Sequence, residues 1–421
     1  MLRLLPNSES FSPLLMSEIE SCHFLDATSV PGAAFSSALG RLLPTTAWLP
    51  RISIFAVAGR GQSRSTQEGS IVSKTFALQR GYNHEFLDRA LGLSRDLEKR
   101  LLDECHSPAK CLLICTSPHW TPVAERWPGP VAYYSLDFTY AYAGASPSQI
   151  LSLDKRLCRA STLVFSVSRR IGEYLIDRAG CDPGRVVVLP NATLSENIQS
   201  EAAPPMPRPA EMLGLPGPIA GVIGNMADNL DWVLLRQVFD RVPALHWAFV
   251  GPATSNIADS GQRAARKAVM RNRQAHFLGA RPYSQLQSYA RAFDVAVLPY
   301  RRKEPTYSGS ATRFYEHLAA GRPMIATRNV HELLAKEPYL RLVDTADQLA
   351  GELNQLRQLG FRDGLETARI KASQAETWDV RAQLMLRSLT GMLHPKPNSP
   401  NSLEIRENPC NLTNCRCACT Y

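Results

Sequence analysis

Basic side chains, a glycine-bearing turn and one carboxylate follow each other closely between residues 300 and 316. A phosphate would be attracted by the positive charges of Arg313 and of the basic run at 301–303. Backbone N–H groups at a helix start would add to this attraction. The carboxylate of Glu316 could accept hydrogen bonds from hydroxyl groups if it faces a crevice. Alternatively, Glu316 lies on the surface, which pattern alone favours, and the basic run is solvated. The segment could therefore bind a ligand that carries phosphates and hydroxyls.

One strand–helix–strand unit, residues 293–327, positions these groups. Short apolar runs predict a buried strand at each end, and apolar residues at helical spacing predict a helix over 310–320. Gly321 ends that helix and Pro323 prevents its return. A right-handed crossover between parallel strands brings the loop to the carboxyl edge of the sheet, where open α/β folds bind ligands.

Strands and helices alternate along most of the chain, which predicts doubly wound parallel sheets. A length of 421 residues suits two domains. The sequence predicts five parts, which are a poorly specified amino-terminal segment (1–50), a first doubly wound domain (51–194), a Pro-rich linker (195–218), a second doubly wound domain with final helices (219–393) and a disordered Cys-rich tail (394–421).

Composition narrows the class of protein. A net charge of +9 is compatible with an anionic ligand or an acidic membrane surface, although solvated surface charge is the commoner reason. The sequence has no apolar run long enough to span a membrane and no signal-peptide core, so we expect a cytoplasmic protein. Six of the ten cysteines are scattered as expected for reduced thiols. Aromatic and basic residues are not interleaved, which argues against nucleic acid as a partner.

The run SATRFYEHLAAGRPMIAT at residues 310–327 resembles the donor-site signature of retaining GT-B glycosyltransferases of the bacterial polysaccharide type. In that family the glutamate equivalent to Glu316 binds the ribose hydroxyls of a nucleotide sugar, and the helix start cradles the diphosphate. Three positions depart from the pattern, because Thr312 replaces proline, Arg313 replaces lysine and Ser308 stands where many relatives carry a first glutamate.

The first half of the chain resembles the acceptor domain of the same family through YYSLDF, STLVFSVSRRIGEYL and VVVLPNA. Asp137 follows a predicted strand and is our leading acceptor-side candidate, with a capping or turn carboxylate as the alternative. His119 is a second candidate, although a lone histidine in a proline-flanked loop more often has no chemistry. Asn191 ends this domain, and we expect its side chain to face the cleft.

The second half resembles the donor domain. Gly224 and Asn225 lie in the turn after its first strand, where backbone N–H groups could approach a diphosphate. In the family, the backbone beside the equivalents of Arg281 and Tyr283 surrounds the nucleobase. It also uses a final helix to cross back onto the first domain.

The resemblance implies the GT-B fold, with two Rossmann-like domains facing across a cleft, and a retaining, metal-independent glycosyltransferase. Its partners would be a nucleotide-sugar co-substrate, a saccharide or lipid-linked acceptor and, peripherally, the inner membrane, without a further cofactor. The alternatives are a catalytically silent nucleotide-sugar-binding partner and a nucleotide-sugar epimerase. The predicted site comprises catalytic Asp137 and Arg313, acceptor-side His119 and Asn191, and donor-binding Gly224, Asn225, Arg281, Tyr283, Ser308, Gly309, Ser310, Ala311 and Glu316.

Overall fold

The computed structural model shows two α/β domains, each built on one sheet. It describes residues 19, 21–25, 38–39, 52–58, 64–68, 71–77, 92–141, 146–198, 207–253 and 257–393. The predicted tail (394–421), most of the predicted amino-terminal segment and residues 199–206 of the predicted linker lie outside the described residues.

The first domain contributes eight strands and four α-helices among its described residues. In chain order they are β1 Ser21–Leu25, β2 Ile52–Ala58, β3 Arg64–Glu68, β4 Ile71–Ala77, α1 Leu93–Asp103, β5 Cys111–Cys115, α2 Thr121–Ala124, β6 Val131–Ser135, α3 Pro147–Ala160, β7 Leu163–Ser166, α4 Arg169–Asp177 and β8 Val186–Val188. The sheet order is β3-β4-β2-β1-β5-β6-β7-β8, and β3 pairs antiparallel with β4 while the other neighbours are parallel.

The strand β1 lies in the middle of the first sheet, between β2 and β5. It falls in the segment 1–50, where the sequence predicted no clear element. Its run SCHFL is short and lacks periodicity, so its pattern alone could not distinguish a buried strand from other structure. Farther along, Ser168 caps α4, because its hydroxyl accepts a hydrogen bond from Ile171 N at 3.2 Å and the helix begins at Arg169.

The second domain is a six-stranded parallel sheet flanked by helices. Its elements are α5 Ala210–Leu213, β9 Ile219–Ile223, α6 Trp232–Phe239, β10 His246–Val250, α7 Ser260–Met270, β11 Ala275–Gly279, α8 Leu286–Ala292, β12 Val295–Leu298, α9 Thr312–Ala320, β13 Met324–Thr327, β14 Arg341–Val343, α10 Ala346–Gln358, α11 Glu366–Ser373 and α12 Trp378–Leu393. The order is β11-β10-β9-β12-β13-β14, so the strand order reverses between β9 and β12 while all strands stay parallel.

Short 3-10 helices connect several of these elements within the described residues. They are Pro108–Lys110, Pro118–Trp120, Thr139–Ala141, Pro183–Arg185, Ser195–Asn197, Tyr283–Gln285 and His331–Ala335.

The strand–helix–strand unit predicted over 293–327 is confirmed as β12–α9–β13. All four residues of each strand are buried, as expected for parallel strands covered on both faces. The helix begins at Thr312, two residues later than predicted, and ends at Gly321, whose φ is +73°. A left-handed glycine at this position is the usual helix stop.

The last helix returns to the first domain. Trp378, Ala382 and Met385 of α12 are fully buried in the core of the first sheet, which confirms the predicted crossing. Just before it, Thr193 and Thr377 form a parallel bridge, with hydrogen bonds of 3.0 Å from Thr193 N to Glu376 O and from Trp378 N to Thr193 O. The two stretches of chain that connect the domains are therefore bonded side by side.

Candidate functional site

The turn after β9 and the start of α9 meet at the carboxyl edge of the second sheet. Gly224 has φ of +101°, and its N–H donates to Val250 O at 2.8 Å. A Cβ atom at this position would lie 2.6 Å from Arg313 Nε, so a side chain there would displace the guanidinium. The glycine turn thus allows the Arg313 guanidinium to pack directly on the backbone.

Arg313 is a buried cation, with 7% of its surface exposed. Its Nη2 donates to Asn225 O at 2.7 Å, and its guanidinium carbon lies 5.1 Å from the centre of the Tyr300 ring. Nη1 is buried and has no hydrogen-bond partner, and no carboxylate within the described parts of the chain forms an ion pair with this guanidinium. A buried charge without a counter-charge is costly unless a ligand supplies one. The arrangement is therefore suited to an anion.

The neighbouring basic run differs from Arg313 because its charges have partners. Arg301 pairs with Asp228 at 3.0 Å and with Asp259 at 2.7 Å, and Lys303 also pairs with Asp228. Arg302 lies over the Tyr307 ring, 4.8 Å from its centre. Asp228 and Asp259 therefore offset the charges of Arg301 and Lys303.

A carboxylate that the sequence analysis missed lies at the start of α9. Glu332 Oε2 accepts a hydrogen bond from Ala311 N at 2.7 Å, and its Oε1 accepts from Ser310 Oγ at 3.1 Å and from Tyr315 OH at 2.5 Å. The helix dipole favours an anion at this place. The sequence signal for Glu332 is only its position in the loop after β13, at the same sheet edge.

The backbone groups of the predicted phosphate turn have internal partners. Gly309 N donates to Pro305 O at 3.0 Å. Ser308, which stands where relatives carry an acid, donates from Oγ to Glu304 Oε1 at 2.6 Å and from N to Glu304 Oε2 at 3.1 Å. The structure thus brings the carboxylate of Glu304 next to this position. Across the domain contact, Ser168 Oγ donates to Ser308 O.

Glu316 is 2% exposed, so the surface alternative is wrong. Its Oε1 accepts from Tyr283 OH at 2.5 Å, and its Oε2 accepts from Asn197 Nδ2 at 3.0 Å and from Thr193 Oγ1 at 3.3 Å. Burial raises the pKa of Glu316 to about 7, and the three hydrogen bonds to the carboxylate oppose that rise. The carboxylate therefore faces inward and accepts hydrogen bonds from hydroxyl and amide groups, some of which come from the first domain.

Asn191 reaches the same helix from the first domain. Its backbone N donates to Ser310 Oγ at 3.0 Å, and its Nδ2 donates to Ser310 O at 3.0 Å and to Thr312 Oγ1 at 2.9 Å. The Asn191 side chain thus points toward the second domain. Its contacts fix the start of α9 relative to the first domain.

The remaining predicted residues lie in three other environments. Asp137 is exposed in the turn after β6, and its Oδ1 accepts from Phe138 N at 2.8 Å, as expected for the turn-carboxylate alternative. His119 is half-buried in the 3-10 helix Pro118–Trp120, and its backbone N–H donates to Ser117 Oγ at 3.4 Å. Arg281 pairs with Glu211 at 2.8 Å and donates to Tyr289 OH at 2.7 Å. The structure thus gathers Gly224, Asn225 and Arg313 in one cluster and Tyr283, Asn191 and Glu316 beside the domain contact.

No helix within the described ranges has the length and apolar character needed to cross a membrane.

Comparisons with known proteins match the second domain to a family. Residues 217–358 match the family of glycosyl transferases group 1. A Bacillus subtilis protein assigned to teichuronic acid biosynthesis as the glycosyltransferase TuaH is 23% identical over 127 residues, which is 30% of this chain and 31% of the relative. The alignment thus spans less than a third of that relative's length.

Solved structures match over most of the chain. An E. coli trehalose-6-phosphate structure bound with UDP-2-fluoro glucose has a TM-score of 0.65 at 11% identity, covering 88% of this chain and 99% of that one. HepE of Anabaena, in complex with UDP and glucose, has a TM-score of 0.60 at 16% identity, with the same coverage of 88% and 99%. At such identities the likeness shows the fold, which is the predicted pair of Rossmann-like domains.

Proposed function

We propose that this chain, whose residues 217–358 match the glycosyl transferases group 1 family and which has the GT-B fold, transfers a sugar from a nucleotide-sugar donor to a saccharide or lipid-linked acceptor. The observation that carries the proposal is Arg313, a buried guanidinium with an unpaired Nη1 packed against the turn after β9. A departing nucleoside diphosphate gains negative charge as the glycosidic bond opens. A fixed cation with no counter-charge of its own would stabilise that change without reorganisation.

The rest of the donor site follows from the same geometry. Glu316 would exchange its present hydrogen bonds from Tyr283 OH and Asn197 for bonds from the ribose hydroxyls. The turn at Gly224 and Asn225 would lie against the diphosphate, with Arg313 supplying the charge that a divalent metal supplies in other transferases. We therefore propose a metal-independent reaction, with retention of the anomeric configuration, as the family resemblance implies. The relative in teichuronic acid biosynthesis supports cell-surface polysaccharide synthesis as the setting. We propose the cytoplasmic membrane face as its location because the family resemblance implies it.

The test compares Arg313→Met with Arg266→Met as a matched control. Arg266 is also buried, at 9% exposure, with its guanidinium 5.7 Å from the centre of the Trp232 ring. Loss of a charge-assisted hydrogen bond costs about 1.5–3 kcal/mol, which weakens Kd about 10- to 150-fold. We expect this loss for Arg313→Met and unchanged affinity for Arg266→Met, measured by isothermal titration with UDP, GDP and their sugars. If the wild type releases no heat with any of these ligands, the donor-site assignment fails.

A catalytically silent nucleotide-sugar-binding protein is the second candidate. Two observations favour it. Glu332 already accepts the hydrogen bond of Ala311 N, one of the predicted donor-binding groups, and Ser308 stands where many relatives carry a glutamate. Mass spectrometry of the products, with and without a lipid-linked acceptor, separates the two. Sugar transfer supports the enzyme, whereas nucleotide binding without any product supports the silent protein.

A further inference from the structure

A cluster of metal-ligand side chains lies in the first domain, outside the proposed donor site. His23, Cys105 and Cys111 each offer one ligand atom, and these three atoms lie within 4.8 Å of one another. His23 Nε2 and Cys105 Sγ are hydrogen-bonded at 2.7 Å, and a bound metal ion would replace this contact and move the two atoms apart. An imidazole nitrogen and two sulfurs form the kind of donor set that Zn²⁺ prefers in proteins.

The fold brings the three residues together from separate elements. His23 is the central residue of β1, Cys111 is the first residue of β5, and Cys105 follows the end of α1. Because Ser21 pairs with Cys111 and His23 pairs with Leu113 in neighbouring parallel strands, His23 and Cys111 lie on the same face of the sheet. The cluster is thus at the amino end of β5, the edge opposite the one where the ligand site lies in such folds.

Burial and charge are consistent with a largely buried metal site. His23 is 1% exposed and Cys111 is fully buried, whereas Cys105 is half-buried and provides a path to solvent. The Trp127 ring lies edge-on to His23, with 5.8 Å between ring centres, and its Nε1 donates to Cys111 O at 2.8 Å. Two thiolates neutralise one Zn²⁺, so the loaded site would place no net charge in this apolar sheet.

We propose that His23, Cys105 and Cys111 bind one Zn²⁺, with the fourth position filled by a water molecule. The ion would join β1 to the connection between α1 and β5. Because β1 is the central strand of the sheet, the ion would fix the amino-terminal part of the chain in the first domain. This role is structural and is independent of the proposed sugar transfer.

The test measures zinc in the purified full chain. The tail cysteines could bind metal by themselves, so every protein carries serine in their place, at Cys410, Cys415, Cys417 and Cys419. In this background we expect about one Zn²⁺ per chain by elemental mass spectrometry. Cys105→Ser is the main variant, because it changes a half-buried residue outside the strands. Cys115→Ser is the matched control, since Cys115 is a buried thiol at the other end of β5.

The expected result is loss of the zinc in Cys105→Ser and retention in Cys115→Ser. Replacement of zinc by Co²⁺ should give a thiolate-to-metal charge-transfer band in the parent protein that disappears in Cys105→Ser, with circular dichroism as the check on folding. Three results would overturn the proposal, namely no zinc above background in the reduced parent protein after incubation with Zn²⁺, equal zinc in Cys105→Ser, or a Cys105–Cys111 disulfide in non-reduced peptides.

Discussion

Glu316→Gln should remove a pH dependence from the stability of this protein. Burial raises the pKa of the Glu316 carboxyl from 4.5 to about 7, so the folded chain holds a proton that the unfolded chain releases in this range. The contribution to the free energy of unfolding is therefore fully present below pH 4.5 and is lost as the pH rises to about 7. Because glutamine does not titrate, the variant should not lose this free energy of unfolding as the pH rises.

The size of the effect follows from the two pKa values. The difference between 4.5 and about 7 corresponds to about 3 kcal/mol between the acidic and the neutral end of the range. Glutamine also fits the local hydrogen bonds, because its oxygen can accept from Asn197 Nδ2 while its amide group donates to Tyr283 OH. The substitution thus isolates the charge from the packing.

Denaturant unfolding of both proteins across this pH range measures the effect. We expect the wild type to lose stability relative to Glu316→Gln as the pH rises. Asp154→Asn is a control in the first domain, where burial raises the pKa of Asp154 to about 6 despite hydrogen bonds from Tyr133 and Tyr174. It should remove a separate dependence between pH 3.8 and about 6. Parallel profiles for the wild type and Glu316→Gln would refute the assignment of Glu316 as a buried, titrating carboxyl.

Three further substitutions test the geometry around α9. Gly224→Ala should lower the free energy of unfolding by about 1–3 kcal/mol and weaken nucleotide binding, because its methyl group would displace Arg313. The control is Gly214→Ala, whose methyl group meets no atom within 4 Å and should change neither quantity. Denaturation and calorimetric titration measure the two effects. Asn191→Ala removes two side-chain hydrogen bonds across the domain contact, worth about 1 kcal/mol each, and should speed amide hydrogen exchange at the start of α9. Glu332→Gln should cost about 0.5–1 kcal/mol of stability yet tighten nucleoside diphosphate binding in calorimetry, whereas weaker binding would place the diphosphate elsewhere.

The sequence predicted the second domain better than the first. The unit β12–α9–β13 carries its own signals, with short apolar strands, helical periodicity and a Gly-Arg-Pro stop, and the structure agrees to within two residues. The central strand β1 carries none of these, since its five residues make their contacts with strands that lie far along the chain. Its position is decided by pairing and not by local pattern.

The environment of Glu316 shows the same limit at the level of one side chain. The helical pattern placed it among apolar residues, but its hydrogen-bond donors Thr193 and Asn197 come from more than a hundred residues earlier. Arg313 shows the same limit. The sequence places it near another cation, Arg301, and only the fold pairs Arg301 with Asp228 and Asp259 while leaving Arg313 without an acidic partner among the described residues. Residue types suggested the chemistry, and the fold decided which of them are available for it.

The paired crossings at Thr193 and Thr377 define where the two domains can rotate. Two tethers joined at one place act as a hinge, so the least costly motion is a rotation about that place, with displacement growing with distance from it. Glu316, bonded to Thr193 itself, lies near the axis and would move little. Such a hinge would open the cleft to a ligand while keeping the Glu316 carboxylate in register with the first domain.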